Sequence, residues 1–187
     1  ASSIEGFDAG GFTNIFTVAE GLSISTAIRD ARSGATVNVG AGTYDETTAV
    51  TKALSLIGAG MDETVITGGM TISGSPTGLI LQDFTVRGSG GSAVINNGGT
   101  ITGLTMTGVR LDGESVAGRH GFIGGQIGGD VVITGSEFLN IRGWAAFDTH
   151  SGAGGANDGA QIGNVLFAGN LLDNTAGHIA FRQQSGD

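Results

Sequence analysis

The chain has 187 residues, no cysteine, 37 glycines, a single proline and a net charge of −9 at neutral pH. That length suits one domain with its own core, and the lack of cysteine excludes disulfide staples and thiolate metal sites. With eight Lys plus Arg against 17 acidic residues, neither nucleic acid nor membrane insertion is expected: counterion release and steering would not help, and no apolar run is long enough to span.

Ala1 to Gly11 lacks the basic and apolar regions of a signal peptide, so a mature chain, or one secreted without a cleaved N-terminal signal, is expected. The first element is a helix: Ile24, Ala27, Ile28 and Ala31 recur at helical spacing, Ser23 can act as N-cap and Gly34 can stop it. Its place before the first strand marks it as a cap over an otherwise bare apolar cross-section. Next come short β-branched or aliphatic runs bounded by turn formers, among them Thr36–Val39, Leu79–Leu81, Val131–Ile133 and Val165–Phe167. They read as strands of a few residues. Glycine makes turns with positive φ cheap, and the lone Pro76 leaves the strands able to donate hydrogen bonds. No Gly-X-Y period supports collagen, and a hydrophobic fraction of 39% argues against disorder.

The later strands belong to a repeat. Asp130–Gly152 and Asn164–Gly186 align at an offset of 34 with eight identities in 23 positions: Val131/Val165, Gly135/Gly169, Asn140/Asn174, Gly143/Gly177, Ala146/Ala180, Phe147/Phe181, Ser151/Ser185 and Gly152/Gly186. Upstream, Gly118–Phe122 matches Gly143–Phe147 at an offset of 25, and Gly91–Ile95 precedes it at 27. A unit of variable length that cannot bury its apolar face alone implies stacked coils. The expected fold is therefore all-β, a parallel β-helix of about six coils with an N-terminal capping helix. Residues 1–34 form the leading segment and cap, and residues 35–187 form the β-helix, expected to be a fragment of a longer solenoid. Nothing comparable to the helix closes the far end, so end-to-end association at the C-terminal coil is expected.

Thr36-Val37-Asn38-Val39-Gly40-Ala41-Gly42-Thr43-Tyr44, followed by Ala53-Leu54-Ser55-Leu56-Ile57-Gly58-Ala59-Gly60, resembles the entry coils of the pectin-lyase-like superfamily of right-handed parallel β-helices. The resemblance covers nearly the whole chain from Thr17 and implies right-handed coiling. It leaves function open, because that superfamily holds lyases, hydrolases, epimerases, phage tailspikes and adhesins. In composition the chain also resembles segments of large secreted or surface proteins, which implies an extracellular or cell-surface location.

With Phe147 and Phe181 taken as inward, the period of two turns Trp144, Ala146, Asp148 and His150 outward, beside His178, Ala180, Arg182 and Gln184. Asp148 should then face Arg182, His150 should face Gln184, and Trp144 should lie between Arg119 and His178. Such a face could stack on a sugar ring and hydrogen-bond its hydroxyls or carboxylate, with Arg119, Trp144, His178 and Gln184 as substrate-binding residues. It could equally be a solvated cross-strand ion pair beside a covered tryptophan. His120 aligns with Ala145 and reads as an inward packing histidine. The Gly-rich stretch 151–161 reads as the longest insertion and could form a lip beside the face.

Ala146-Phe147-Asp148-Thr149-His150 resembles the glycine-phenylalanine-aspartate-proline-histidine motif of mannuronan C5-epimerases, which are also β-helices. That resemblance implies catalytic roles for Asp148 and His150. The family's tyrosine, three positions before the aspartate, is Ala145 here, and its proline is Thr149. Asp148 and Arg182 echo the calcium site and base of pectate lyases without the neighbouring acids. Asp62/Glu63, Asp112/Glu114 and Asp158 are dispersed over separate turns, unlike the paired carboxylates of a glycosidase. No cofactor is expected. Calcium could bind at acidic turns, although the EF-hand and nonapeptide motifs are absent and no zinc spacing occurs. The function expected is a secreted or surface β-helix module that scaffolds a face for an acidic or neutral polysaccharide. The alternative is a polysaccharide-modifying enzyme, a uronate lyase or epimerase, with Asp148, His150 and Arg182 as catalytic residues.

Overall fold

The computed structural model describes residues 14–88, 91–149 and 160–181. In chain order its elements are β1 (Ile15–Val18), α1 (Ile24–Asp30), β2 (Ala35–Val39), β3 (Gly42–Tyr44), β4 (Thr48–Val50), β5 (Leu54–Ile57) and β6 (Thr64–Ile66). They continue with β7 (Met70–Ile72), β8 (Thr77–Arg87), β9 (Ala93–Asn97), β10 (Thr100–Asp112), β11 (His120–Ile123) and β12 (Gln126–Thr134). The last are β13 (Glu137–Leu139), β14 (Ala145–Asp148), β15 (Ile162–Ala168), β16 (Leu171–Asp173) and β17 (His178–Ala180). The fold is all-β and built from parallel sheets, a β-solenoid-like arrangement with one helix among the described residues. That helix is too short and polar to cross a membrane, and no other described helix could do so.

Two sheets run along the stack. One follows the order β1-β2-β5-β8-β10-β12-β15, with β3, β6, β13 and β16 joined to it; the other follows β4-β7-β9-β11-β14-β17. Apart from β1 with β2, strands pair not with their sequence neighbours but with the strand one pass of the chain later. Ser55 pairs with Ile80, Ile80 with Thr105, Thr105 with Val132 and Val132 with Leu166, steps of 25, 25, 27 and 34 residues. Loops absorb the differences in length while the strands stay in register.

Side chains therefore fall into columns. Phe16, Val37, Leu56, Leu81, Met106 and Ile133 are successive Cα partners, all buried, and Phe167 ends the column half-buried. In the second sheet Met70, Ile95, Phe122 and Phe147 do the same, with the last two rings stacked 4.7 Å apart at 26°. Ile95, Phe122 and Phe147, which the offsets of 27 and 25 bring into line, thus form one buried stack. Phe181 reaches it with its ring, 5.3 Å from that of Phe147. Its backbone does not lie opposite, however. The 34-residue offset holds from Val131/Val165 to Leu139/Asp173, is 33 at Ala145/His178, and a further register shift after Ala145 makes Ile179 the Cα partner of Phe147.

The repeat's shared small and amide residues have local causes. Asp83, Gly108, Gly135 and Gly169 occupy one level of successive passes with φ of +57°, +61°, +56° and +65°, so each turns its strand at the same corner. Glycine holds that left-handed conformation without a Cβ penalty, and aspartate tolerates it. At the next corner Asn140 and Asn174 are also left-handed, with φ of +54° and +49°. There Asn140 Nδ2 donates to Asp112 Oδ1 (3.0 Å) and Asn174 Nδ2 donates to Asn140 Oδ1 (2.7 Å), a ladder along the stack.

Helix α1 lies on the terminal strands, packed against β1, β2 and β4, and buries Ile24, Ala27 and Ile28. Ser23 caps it as the spacing implied, its Oγ accepting from Thr26 N. Residues flanking β4 hold both ends: Glu46 accepts from Ile24 N and Ser23 Oγ, while Lys52 Nζ donates to the carbonyls of Arg29 and Ala31. Acid at the N-terminus and base at the C-terminus match the helix dipole. Strand β1 was not anticipated: four residues with two buried side chains show too little alternation to read before the pairing with β2 is known.

Phe147→Ala should lower unfolding free energy by about 3–5 kcal/mol, because its ring is fully buried between two others. Val116→Ala, at a half-exposed loop position, should change it by less than about 0.5 kcal/mol. Urea denaturation followed by circular dichroism measures both.

Candidate functional site

Trp144 lies just before β14 and is 46% exposed, the chain's single tryptophan. Its ring is held between two imidazoles: His120 at 4.9 Å, edge-on at 63°, and His178 at 5.3 Å, tilted by 32°. The backbone sets this spacing. His178 N donates to Trp144 O (3.0 Å), and Ala145 N donates to His120 Nδ1 (3.3 Å). Gly143 allows the close approach, since a Cβ there would collide with His120 Nδ1 and the Arg119 carbonyl; Gly177, its repeat partner, is pressed in the same way on the Ala145–Ala146 backbone. That steric limit accounts for the glycine shared by the two repeats.

Behind the rings is a carboxylate. Asp148 is fully buried, and its Oδ2 lies 2.8 Å from Nε2 of His178, whose side chain is 42% exposed. The pair presents an imidazole edge to solvent with its orientation set from beneath. A buried carboxylate paired in this way fixes a histidine's tautomer and ring orientation.

Several sequence expectations are corrected here. Ala146 and Asp148 do not face outward; residues 145–149 are all buried. Alternation assumes one bare face, whereas every residue of β14 is buried and the His178 side chain is drawn onto Asp148. Arg119 does not flank Trp144. Its side chain is buried, and Nη1 donates to Gly88 O (2.7 Å) and reaches Glu114 (3.4 Å). His120 takes the flanking place instead, so the histidine expected to pack inward belongs to the cluster. The sequence signal for it was the offset of 27, which pairs His120 with Ala93 and leaves its ring beside the next pass. His178 lies beside Trp144 as expected. His150, Arg182 and Gln184 lie outside the described residues, and so do the pairings expected for Asp148 with Arg182 and His150 with Gln184.

Burial pushes the His120 imidazole below its ordinary 6.5; the Asp148 carboxylate opposes that shift and His178 adds to it. Acceptance of the Ala145 N–H by Nδ1 agrees with a neutral ring. Among the described residues no three carboxylate or imidazole groups converge to hold a metal ion. Asp62 and Asp112 act as turn and ion-pair residues: Asp62 pairs with Arg110 (2.7 Å), and Asp112 accepts from Glu114 N (2.9 Å). A cleft of about 360 Å³ opens elsewhere, at the start of α1 between Leu22, Ser23 and the end of β3 with Asp45 and Glu46.

No protein-family model, curated protein or solved structure matches the chain.

The His120 shift has a definite sign. The unfolded ring takes up its proton near 6.5 and the folded one only at lower pH, so between the two values the unfolded chain binds more protons. The stability that neutral His120 contributes is present above 6.5 and is lost as pH falls through that window. A histidine NMR titration should place the His120 midpoint below 6.5, and His120→Gln should flatten the acid-side fall in denaturation midpoint.

Proposed function

We propose that the chain is a right-handed β-helix module of a secreted or cell-surface protein, with six coils closed at one end by α1, and that Trp144 with its flanking imidazoles binds a polysaccharide. The coil count follows from taking each return to the β4-β7-β9-β11-β14-β17 column as one coil. Handedness, location and the pectin-lyase-like kinship rest on the sequence resemblance alone. The single observation that carries the binding reading is the half-exposed Trp144 ring held rigidly between His120 and His178 on a sheet face. A pyranose ring offers an apolar face to such an indole and hydroxyls or a carboxylate to the adjoining imidazoles. Asp148, being buried, then acts through His178 rather than on the sugar.

A second reading is favoured by the Asp148–His178 pair. A solvent-facing imidazole backed by a buried carboxylate is the arrangement needed to take a proton, here from C5 of a uronic acid in a lyase- or epimerase-type reaction. Arg182 and His150 would complete that chemistry as the charge that stabilises the uronate carboxylate and the second proton-transfer group.

Because Trp144 is the only tryptophan, its fluorescence reports the site directly. Titration with uronate and neutral polysaccharides should shift its emission. Measured for the variants by titration calorimetry, which needs no tryptophan, His178→Gln should weaken binding about tenfold or less, whereas Trp144→Phe should retain it and Trp144→Ala abolish it. Under the enzyme reading His178→Gln and Asp148→Asn eliminate formation of unsaturated uronate or solvent-proton exchange at C5 while binding survives. Binding unchanged in Trp144→Ala would refute the glycan face.

A further inference from the structure

The hydrogen bonds of His120 fix where its proton sits. Nδ1 accepts from Ala145 N (3.3 Å), while the nearby Arg119 carbonyl is taken by Gly143 N (2.6 Å). A ring nitrogen that accepts carries no proton, so the proton of this half-buried ring is on Nε2, and no described residue accepts from it there. Gly143 packs so closely on Nδ1 that a Cβ would collide with it, which leaves the ring little slack. We infer that His120 is the specificity-determining residue of the Trp144 face: as a neutral donor it selects an uncharged polysaccharide, and its protonation releases that ligand. This rests on the glycan-binding reading and narrows it.

The selection follows from charge. The titratable groups that face His120 are Asp148 on β14 and His178 on β17, a fully buried carboxylate and the imidazole paired with it; β9, on the other side, brings Ala93 and no titratable group. Arg119, next in sequence, is buried with Nη1 turned to Gly88 O, Gly113 O and Glu114. A uronate arriving beside His120 therefore meets the Asp148 charge and a ring that offers an N–H but no charge, on a chain that carries −9. A hydroxyl or ring oxygen of a neutral sugar accepts from the same N–H without that repulsion.

The release follows from the Ala145 bond. An imidazolium has a hydrogen on both nitrogens, so Nδ1–H would meet the Ala145 N–H donor to donor at the edge where Gly143 leaves no room. The ring must turn away, and Trp144 then loses one of the two imidazoles that hold it. Because burial keeps His120 neutral until the pH is below 6.5, the face is assembled at neutral pH and disassembled in acid.

Long-range proton–nitrogen NMR on the wild-type chain at pH 7.5 should find the His120 proton on Nε2; a proton on Nδ1 overturns the proposal whatever the chain binds. Calorimetric titration with galactomannan, xylan and a soluble β-glucan, and with alginate and polygalacturonate, tests the selection. At pH 7.5 a neutral polymer should bind about tenfold or more tightly than either uronate polymer, and that affinity should fall about tenfold as pH drops through the His120 midpoint. In His120→Asn the shorter side chain can still accept from Ala145 N but does not titrate or reach as far as Nε2, so binding should be about five- to tenfold weaker at pH 7.5 and flat with pH. Uronate polymers bound as tightly as neutral ones, or wild-type affinity that is flat through the midpoint, overturn the inference and leave the glycan face standing. Binding of no polymer, or binding unchanged in Trp144→Ala, removes the glycan face and this inference with it.

Discussion

Parallel pairing of each pass of the chain with the next is the constraint from which the other features follow. Once Val132 is opposite Thr105 and Leu166 opposite Val132, each neighbouring side chain inherits a column, and a column must be chemically uniform to pack. Apolar columns become the core, as in the run from Phe16 to Ile133. Columns of left-handed residues become corners, as at Asp83, Gly108, Gly135 and Gly169. Amide columns become hydrogen-bonded ladders that satisfy turn groups which would otherwise need water. The aromatic cluster is the same principle on the outer surface: His120, Trp144 and His178 come from three successive passes and touch because the passes are in register.

Much of this is legible in the residues. The offset of 34 locates the last two passes, and its identities are the positions where geometry allows little choice: Gly135/Gly169 at a corner, Gly143/Gly177 under a backbone contact, Asn140/Asn174 in a ladder. Helix α1 is legible because its cap and its apolar spacing are local. The exceptions share one cause. Which face of a strand is covered depends on side chains from other passes, so Asp148 and Ala146 alternate away from Phe147 yet end buried. Arg119 is drawn away by acceptors at Gly88, on the preceding pass, and at Gly113, in its own loop. The slip that puts Ile179 opposite Phe147 is a backbone bulge, which leaves no mark in a short glycine-rich segment.

The site inherits its rigidity from this construction. Trp144 is clamped by a backbone bond from His178 and by two rings, and His120 is fixed by the Ala145 N–H. A platform of this kind gains affinity by losing little freedom when a ligand arrives, whether the ligand is only held or also deprotonated. The buried Asp148 distinguishes the cluster from a plain aromatic patch, because a carboxylate is costly to bury unless it is paired and hydrogen-bonded, as this one is to His178.

The register brings three distant residues together, and a nuclear Overhauser experiment on the histidine and tryptophan rings measures it directly. Cross-peaks from the Trp144 indole to both the His120 and His178 rings are the predicted result. Contacts to only one of them, or an indole whose nearest partner is the Arg119 side chain, would contradict the register and with it the site.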